Sequence, residues 1–341
     1  MLWMNDPKNL KADYWRIIDA TCNLSGGATT LLDQLYAPNC VMSVCAPFDR
    51  AQGDALVGHA AIYEGLFAPL LASFSNLERR TEILMQGQFK GGDWVASYGW
   101  LIGKFENDFF GITPTQRHHW LRFGWFERIE GRRVVESIVI LDVPRLMIEC
   151  GVWPVRTQLG ENWSPAPAAQ DGLQLNSSAP QDNAKSLNLV EAMIAGLMSY
   201  DGKSLKSMGM TRFWTPQFHW YGPGGIGSAR GHQDYEQTHQ QPFLTAFPDR
   251  IGGNHRCRIG DGAFVASSGW PSINATHLGD GWLGIPATNK RITMRVMDFW
   301  RREGELLSEN WVFIDIIDLL QQFGINVFAG LEADTKLRGT S

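Results

Sequence analysis

The chain is short of the features that announce several common protein classes. Its 341 residues hold five cysteines, an odd number with no C-x-x-C spacing. That leaves neither a disulfide scaffold nor a zinc framework to build on, and Cys22, Cys40, Cys45, Cys150 and Cys257 read as reduced, mostly buried thiols. No stretch approaches the run of about 18 apolar residues that a membrane-spanning helix needs. There is no Lys/Arg-rich run and the formal net charge is −5, which argues against nucleic acid as a partner. Neither a G-x-G-x-x-G after a strand nor a P-loop occurs, so no nucleotide cofactor is expected. The opening residues, MLWMNDPKNLKADYW, lack a basic start followed by an apolar run. No signal peptide is expected, and a cytoplasmic location is.

What the chain does have is itself, twice. Residues 111–142, GITPTQRHHWLRFGWFERIEGRRVVESIVILD, align without gaps on 284–315, GIPATNKRITMRVMDFWRREGELLSENWVFID, at an offset of 173 with 11 of 32 positions identical. Gly111/Gly284, Gly131/Gly304, Glu136/Glu309 and Asp142/Asp315 are among the matches. Upstream, GDWVASYGW (92–100) echoes GAFVASSGW (262–270) at an offset of 170. Two copies are too few for a solenoid, so the pattern is a tandem duplication of one domain, consistent with a length that suits two domains. Fourteen tryptophans point to a large aromatic core or an aromatic-lined pocket.

Between the copies, SPAPAAQDGLQLNSSAPQDNAKS (164–186) has the composition of a linker rather than of a core. The expected division is a first domain over 1–157, a linker over 158–186 and a second domain over 187–341. Each copy opens with helical patterning, over 9–23 and 28–36, then over 187–200 and 202–209; Leu189, Met193 and Leu197 recur on one helix face. Further helices are expected at 58–74 and 231–246, interrupted by Pro69 and Pro242. Strands follow at 80–90, 93–103, 117–130 and 133–142, with counterparts at about 252–260, 263–270, 290–303 and 306–315, separated by glycine-bearing turns. Helices first and then a run of antiparallel strands is the α+β pattern, a curved sheet wrapped around helices.

The second half carries THLGDGWLGIPATNKRITMRVMDFWRREGELLSENWVFIDIIDLLQQFG (276–324). It resembles the SnoaL-like polyketide cyclases, with Thr276, His277 and Gly279 in a G-T-H-x-G element and Gly284, Pro286, Thr288 and Lys290 in a G-x-P-x-T-G-K element. Glu309, Trp311 and Asp315 fill a Glu-x-Trp-x-x-x-Asp strand, and Leu319, Leu320, Gln322 and Gly324 the closing motif. Asn289 and Phe323 depart from the family pattern. The resemblance implies two tandem cone-shaped α+β barrels of the nuclear-transport-factor-like superfamily, each with a hydrophobic pocket. It also implies sheet-to-sheet pairing, which here would be an intrachain pseudo-dimer open to further self-association.

The resemblance further implies an Asp general base that removes a proton from a carbonyl-activated carbon of a hydrophobic, aromatic or polyketide-like substrate, without a cofactor, in a lyase- or isomerase-type cyclisation. It assigns that role to Asp315, whose neighbours Val312, Phe313, Ile314, Ile316 and Ile317 would raise its pKa. Capping of the helix that starts near Ile316 is the structural alternative. His277 would donate to the developing oxyanion or shuttle a proton. His219, Trp220 and Tyr221 on a strand, and His232, Tyr235 and His239 on one face of the next helix, are the substrate-binding candidates, together with Trp311. No metal is expected, because no His-x-x-x-His with a carboxylate stands in ligand spacing. At the 173 offset His277 meets Lys104, Trp311 meets Ile138 and His239 meets Leu66, so one working site in the second copy is expected, although Asp142 is retained in the first. Two other readings stay open: a binding protein for an apolar small molecule, and a hydrolase of the epoxide-hydrolase kind using Asp298 and Arg295.

Overall fold

Four long strand-forming runs follow short helices in each half of the chain, and the folded protein repeats the same order twice. The computed structural model describes residues 9–49, 55–157 and 160–331. Residues 1–8, where the sequence lacks a targeting pattern, lie outside the described residues. The chain divides into two compact units, one of Met1–Leu84, Gly91–Pro154 and Asp315–Ser341, the other of Met85–Lys90 and Val155–Ile314.

The first unit opens with α1 (Leu10–Ala20), α2 (Leu24–Leu35), β1 (Tyr36–Val44) and β2 (Leu56–Val57). A helix follows in three pieces, α3 (Gly58–Ile62), a π-helical turn (Tyr63–Phe67) and α4 (Ala68–Ser73). Then come β3 (Phe74–Phe89), β4 (Gly92–Phe105), β5 (His118–Glu130), β6 (Arg133–Leu141) and α5 (Val143–Glu149). The sheet order is β2-β1-β6-β5-β4-β3.

The second unit repeats the plan. It runs through α6 (Pro180–Met198), β7 (Trp214–Tyr221), β8 (Ala229–Arg230), α7 (Gly231–Tyr235), a π-helical turn (Glu236–Gln240) and α8 (Gln241–Ala246). After them stand β9 (Ile251–Gly252), β10 (His255–Asp261), β11 (Phe264–Thr276), β12 (Arg291–Glu303) and β13 (Leu306–Ile314). Its sheet order is β10-β11-β12-β13-β7-β8, with β9 on β11. The last helix, α9 (Ile316–Phe323), packs with α5 and is counted with the first unit.

Both units are α+β, but the sheets are not wholly antiparallel, which corrects the expectation. The first long strand of each copy lies parallel to the last, β1 beside β6 and β7 beside β13. A parallel pair needs a long connection, and the helices and meander between these strands supply one. The three-piece helix has a local cause. Pro69 and Pro242 stand in the first turn of α4 and α8, where a proline offers no N–H to the carbonyl one turn back. The ladder widens just before each, with Ala68 N–H reaching Tyr63 and Gln241 N–H reaching Glu236. Gly58 and Gly231 start these helices at φ +82° and +71°, a conformation that glycine adopts without strain. A Cβ there would also meet the Pro38 or Pro216 carbonyl oxygen at 3.0 or 2.9 Å.

The linker-like stretch is tied to the second unit. Trp311 Nε1 donates to the Pro165 carbonyl at 2.8 Å, Ala168 N–H donates to Glu309, and Arg301 pairs with Asp171 at 2.9 Å. Glu309 also accepts from the Tyr221 hydroxyl at 3.2 Å, a structural use of the carboxylate that the two copies share.

In the first unit the sheet face toward the helices is filled. Arg79 lies over Trp125 and Phe123, 4.6 and 5.0 Å from the ring centroids, and donates to Tyr14 Oη at 3.1 Å and Ser97 Oγ at 2.9 Å. Glu127 is fully buried and accepts from the hydroxyls of Tyr14 and Tyr36. Desolvation holds its carboxyl above the usual range, against the pull of Arg79 and the two hydroxyls. Removing one member of a buried charge network leaves the rest uncompensated. Arg79→Met should therefore lower stability by about 3 kcal/mol in urea unfolding followed by tryptophan fluorescence; a loss below about 1 kcal/mol would contradict this account.

Candidate functional site

Register decides which side chains meet on the inner face of the second sheet. Ser267 on β11 stands opposite Asp298 on β12, and Asp298 opposite Val312 on β13. Two residues along, Trp300, Asn310 and Trp220 form the next row across β12, β13 and β7. Strand side chains alternate between faces, so these six residues share one face, and all of them line a cavity of about 270 Å³. The facing wall comes from Met193, Leu197 and Met198 of α6 and from Tyr235, His239, Gln240 and Phe243 of the broken helix. Met208, Met210, Trp214 and Met294 make the lining predominantly apolar. Methionines and aromatic rings adapt to flat or irregular apolar ligands.

Asp298 is the one carboxylate among these lining residues. Burial pushes its carboxyl up to about 7, and the Asn310 amide and Arg258 pull it back only in part. Asn310 Nδ2 reaches Asp298 Oδ1 at 3.4 Å and also donates to the Phe299 carbonyl at 3.1 Å. A carboxyl poised near neutrality can take and return a proton under ordinary conditions. Around it stand groups able to donate without carrying charge. The His239 ring stacks on Trp220 at 4.1 Å and 18°, and burial pushes its imidazole down to about 3, so it is neutral. His239 Nδ1 and Gln240 Nε2 are buried with no hydrogen-bond partner, an uncommon state for buried polar atoms that a ligand's polar group would relieve. The Tyr235 hydroxyl is held above its ordinary range by burial and then by the Asp298 charge.

The residues singled out in the sequence distribute over several places. Trp220, Tyr235 and His239 line the cavity together. His219, Tyr221 and Trp311 take the opposite face of the sheet, where the Tyr221 and Trp311 rings lie 5.3 Å apart and Tyr221 binds Glu309. His232 packs its ring 5.1 Å from Phe218 and is not among the lining residues. His277 is buried against Phe247, with Nδ1 3.2 Å from Thr288 Oγ1, and its backbone pairs with Lys290 and Asn289 across a loop. Asp315 caps α9. Its Oδ1 accepts from Asp318 N–H at 3.2 Å and its Oδ2 from Ala46 N–H at 3.1 Å. Its repeat partner Asp142 caps α5 in the same way and pairs with buried Arg122 at 3.2 Å. The retention of this aspartate in both copies thus goes with a cap that both copies need.

Asp298, Asn310 and Gln240 were not picked out as a group from the sequence. One signal was present: Asp298 interrupts an otherwise apolar stretch of β12, VMDFW, where the first copy has Trp125. Arg295, three residues away, lies over the Trp270 ring at 4.8 Å. Among the described residues no cluster of three or more His, Cys, Asp or Glu is placed to hold a metal, and no helix is long and apolar enough to cross a membrane.

The raised Asp298 pKa has a consequence for stability. Below pH 3.8, the ordinary value, folded and unfolded chains both hold the proton. From there to about pH 7 the folded chain keeps a proton that the unfolded chain releases, so stability falls as pH rises and then levels off. Asp298→Asn should be more stable than the native chain by on the order of 2 kcal/mol at pH 8 and equal to it near pH 4. Denaturation at the two pH values checks this, and an equal effect at both would contradict it.

Residues 203–323 match the family model described as SnoaL-like polyketide cyclase. Among solved structures, IdmH from Streptomyces antibioticus is similar at 20% identity, covering 41% of this chain and 98% of its own, with a TM-score of 0.35. A SnoaL-like protein from a Jannaschia species is similar at 15% identity, covering 45% and 99%, with a TM-score of 0.35. An NTF2-like protein from Burkholderia xenovorans is similar at 14% identity, covering 41% and 97%, with a TM-score of 0.33. No curated protein matches. The family-model match lies within the second repeat, where the chain is similar to the SnoaL-like polyketide cyclases.

Proposed function

We propose that the second repeat is a cofactor-independent enzyme in which Asp298 removes a proton from a carbonyl-activated carbon of a hydrophobic substrate. The observation that carries this reading is a carboxyl shifted to about 7 on the wall of an apolar cavity. An ordinary aspartate is too weak a base to take a proton from carbon efficiently. Asp298 is a stronger one, and desolvation is what makes it so.

The chemistry balances within one substrate molecule. The Asp298 carboxylate takes the C–H proton, and the electron pair moves onto the neighbouring carbonyl oxygen as an enolate. The Gln240 amide, the Tyr235 hydroxyl and the neutral His239 are the donors placed in the same lining to hold that oxygen. The enolate carbon then attacks a second carbonyl of the same chain, a C–C bond closes a ring, and the new alkoxide receives the proton held by Asp298. The net reaction is an isomerising cyclisation with no other reactant. An aromatic or polyketide-like substrate fits the Trp220, Tyr235 and Phe243 walls.

Deuterium exchange by NMR, on a panel of β-dicarbonyl and aryl-ketone compounds in heavy water, tests the reading. Exchange should fall by about 100-fold or more in Asp298→Asn. It should persist in Asp315→Asn, which loses a helix cap at about 1 kcal/mol. The native rate should rise with pH through about 7, as Asp298 ionises, and then level off. Exchange that survives in Asp298→Asn, or ligand binding without any exchange across the panel, would count against the proposal and favour a binding protein.

A further inference from the structure

Arg250 is the only lysine or arginine among the residues lining the cavity. It stands just before the exposed Ile251 and near the end of α6, where Met198 is also exposed, so it belongs to the rim. Its guanidinium is half-buried. Nη2 donates to the Leu197 carbonyl at 3.2 Å and the group lies 5.7 Å from the Tyr200 ring centroid. Among the described residues no carboxylate forms an ion pair with it. The neighbouring acid, Asp249, is turned to Thr276, accepting its N–H at 2.7 Å.

The surroundings add positive charge. His255 also lines the cavity, and its backbone carbonyl accepts from Lys90 Nζ at 3.0 Å. Burial, then the charges of Arg258 and Lys90, push the His255 imidazole down to about 4. Glu191 stands 3.9 Å from Arg258, and Asp298 lies within electrostatic reach of the same guanidinium. A cationic rim on a chain of net charge −5 is a local feature, not a reflection of bulk composition. A partly desolvated guanidinium without a counter-anion is costly, and a bound anion offsets that cost. Tyr235 lies within electrostatic reach of both Arg250 and Asp298, so one ligand can span rim and base.

We propose that the substrate is an apolar carboxylic acid whose carboxylate pairs with Arg250 at the rim while its apolar body reaches inward to Asp298. A single planar fork of donors matches a carboxylate in a bidentate pair. A phosphate dianion would call for further cations in the lining, and none is there. This inference rests on the cavity being the substrate site, as proposed above, and gives Arg250 the role of fixing which end of the substrate enters first.

Isothermal titration with 2-naphthoate and its neutral counterpart 2-naphthamide tests it on the full-length protein. The native chain should bind the acid about tenfold or more tighter than the amide, with the difference shrinking as salt is raised. In Arg250→Gln the acid should fall to the level of the amide while amide binding stays as in the native chain. That unchanged amide binding also shows that the variant is folded. Arg250→Lys should keep part of the preference, and Asp298→Asn all of it. Equal binding of acid and amide by the native chain, or a preference that survives Arg250→Gln, would overturn the Arg250 assignment and leave the cavity reading standing. Binding of neither compound would overturn both.

Discussion

Desolvation of one carboxyl is the constraint around which the second repeat is arranged. Asp298 sits in mid-strand, between Val312 and Ser267 on its neighbours and beside Trp300 on its own strand. A strand interior facing helices is where an apolar residue belongs. An aspartate placed there destabilises the fold at neutral pH, and a single long contact from Asn310 offsets only part of the cost. Met193 and Met198 of α6, and Met208 and Met210 after it, line the same cavity. The broken helix presents Tyr235, His239 and Gln240 to the same space. The stability lost at Asp298 and the basicity gained there have one physical cause.

The first repeat holds the same positions with the opposite solution. Its row Ser97–Trp125–Val139 corresponds to Ser267–Asp298–Val312, and two residues on, Glu127 corresponds to Trp300. Acid and indole have traded places along one strand. Trp125 with Arg79 stacked on it occupies the face, and Glu127 is locked by two tyrosine hydroxyls. The π-helical turn is common to both copies, so the backbone device that presents His239 in one copy presents Leu66 in the other. The duplicated scaffold persists while the side chains in two rows of the sheet differ.

Much of the fold was legible in the sequence because it rests on periodicity and repetition. The strands expected at 290–303 and 306–315 form at Arg291–Glu303 and Leu306–Ile314, and the helices broken by Pro69 and Pro242 widen one turn before those prolines. The parallel pairing of β1 with β6 and of β7 with β13 was not legible, since the partner of a strand depends on where the chain returns. The linker-like stretch owes its order to Trp311, Glu309 and Arg301, far away in sequence. For the site, motif resemblance drew attention to Asp315, which lies one residue past β13 and turns into a helix cap. Asp298 required register: only the pairing of β12 with β13 and of β13 with β7 shows that it shares a face with Asn310, Trp220 and the cavity.

The most direct test of this account is the titration of Asp298 itself. Carbon-13 NMR of protein labelled at the aspartate carboxyls, with Asp298→Asn to assign the signal, reads its midpoint without any substrate. A midpoint near 7 is the result that the apolar surroundings require. A midpoint near 4 would mean that water reaches the carboxyl freely, and the base proposed for this cavity would be an ordinary aspartate.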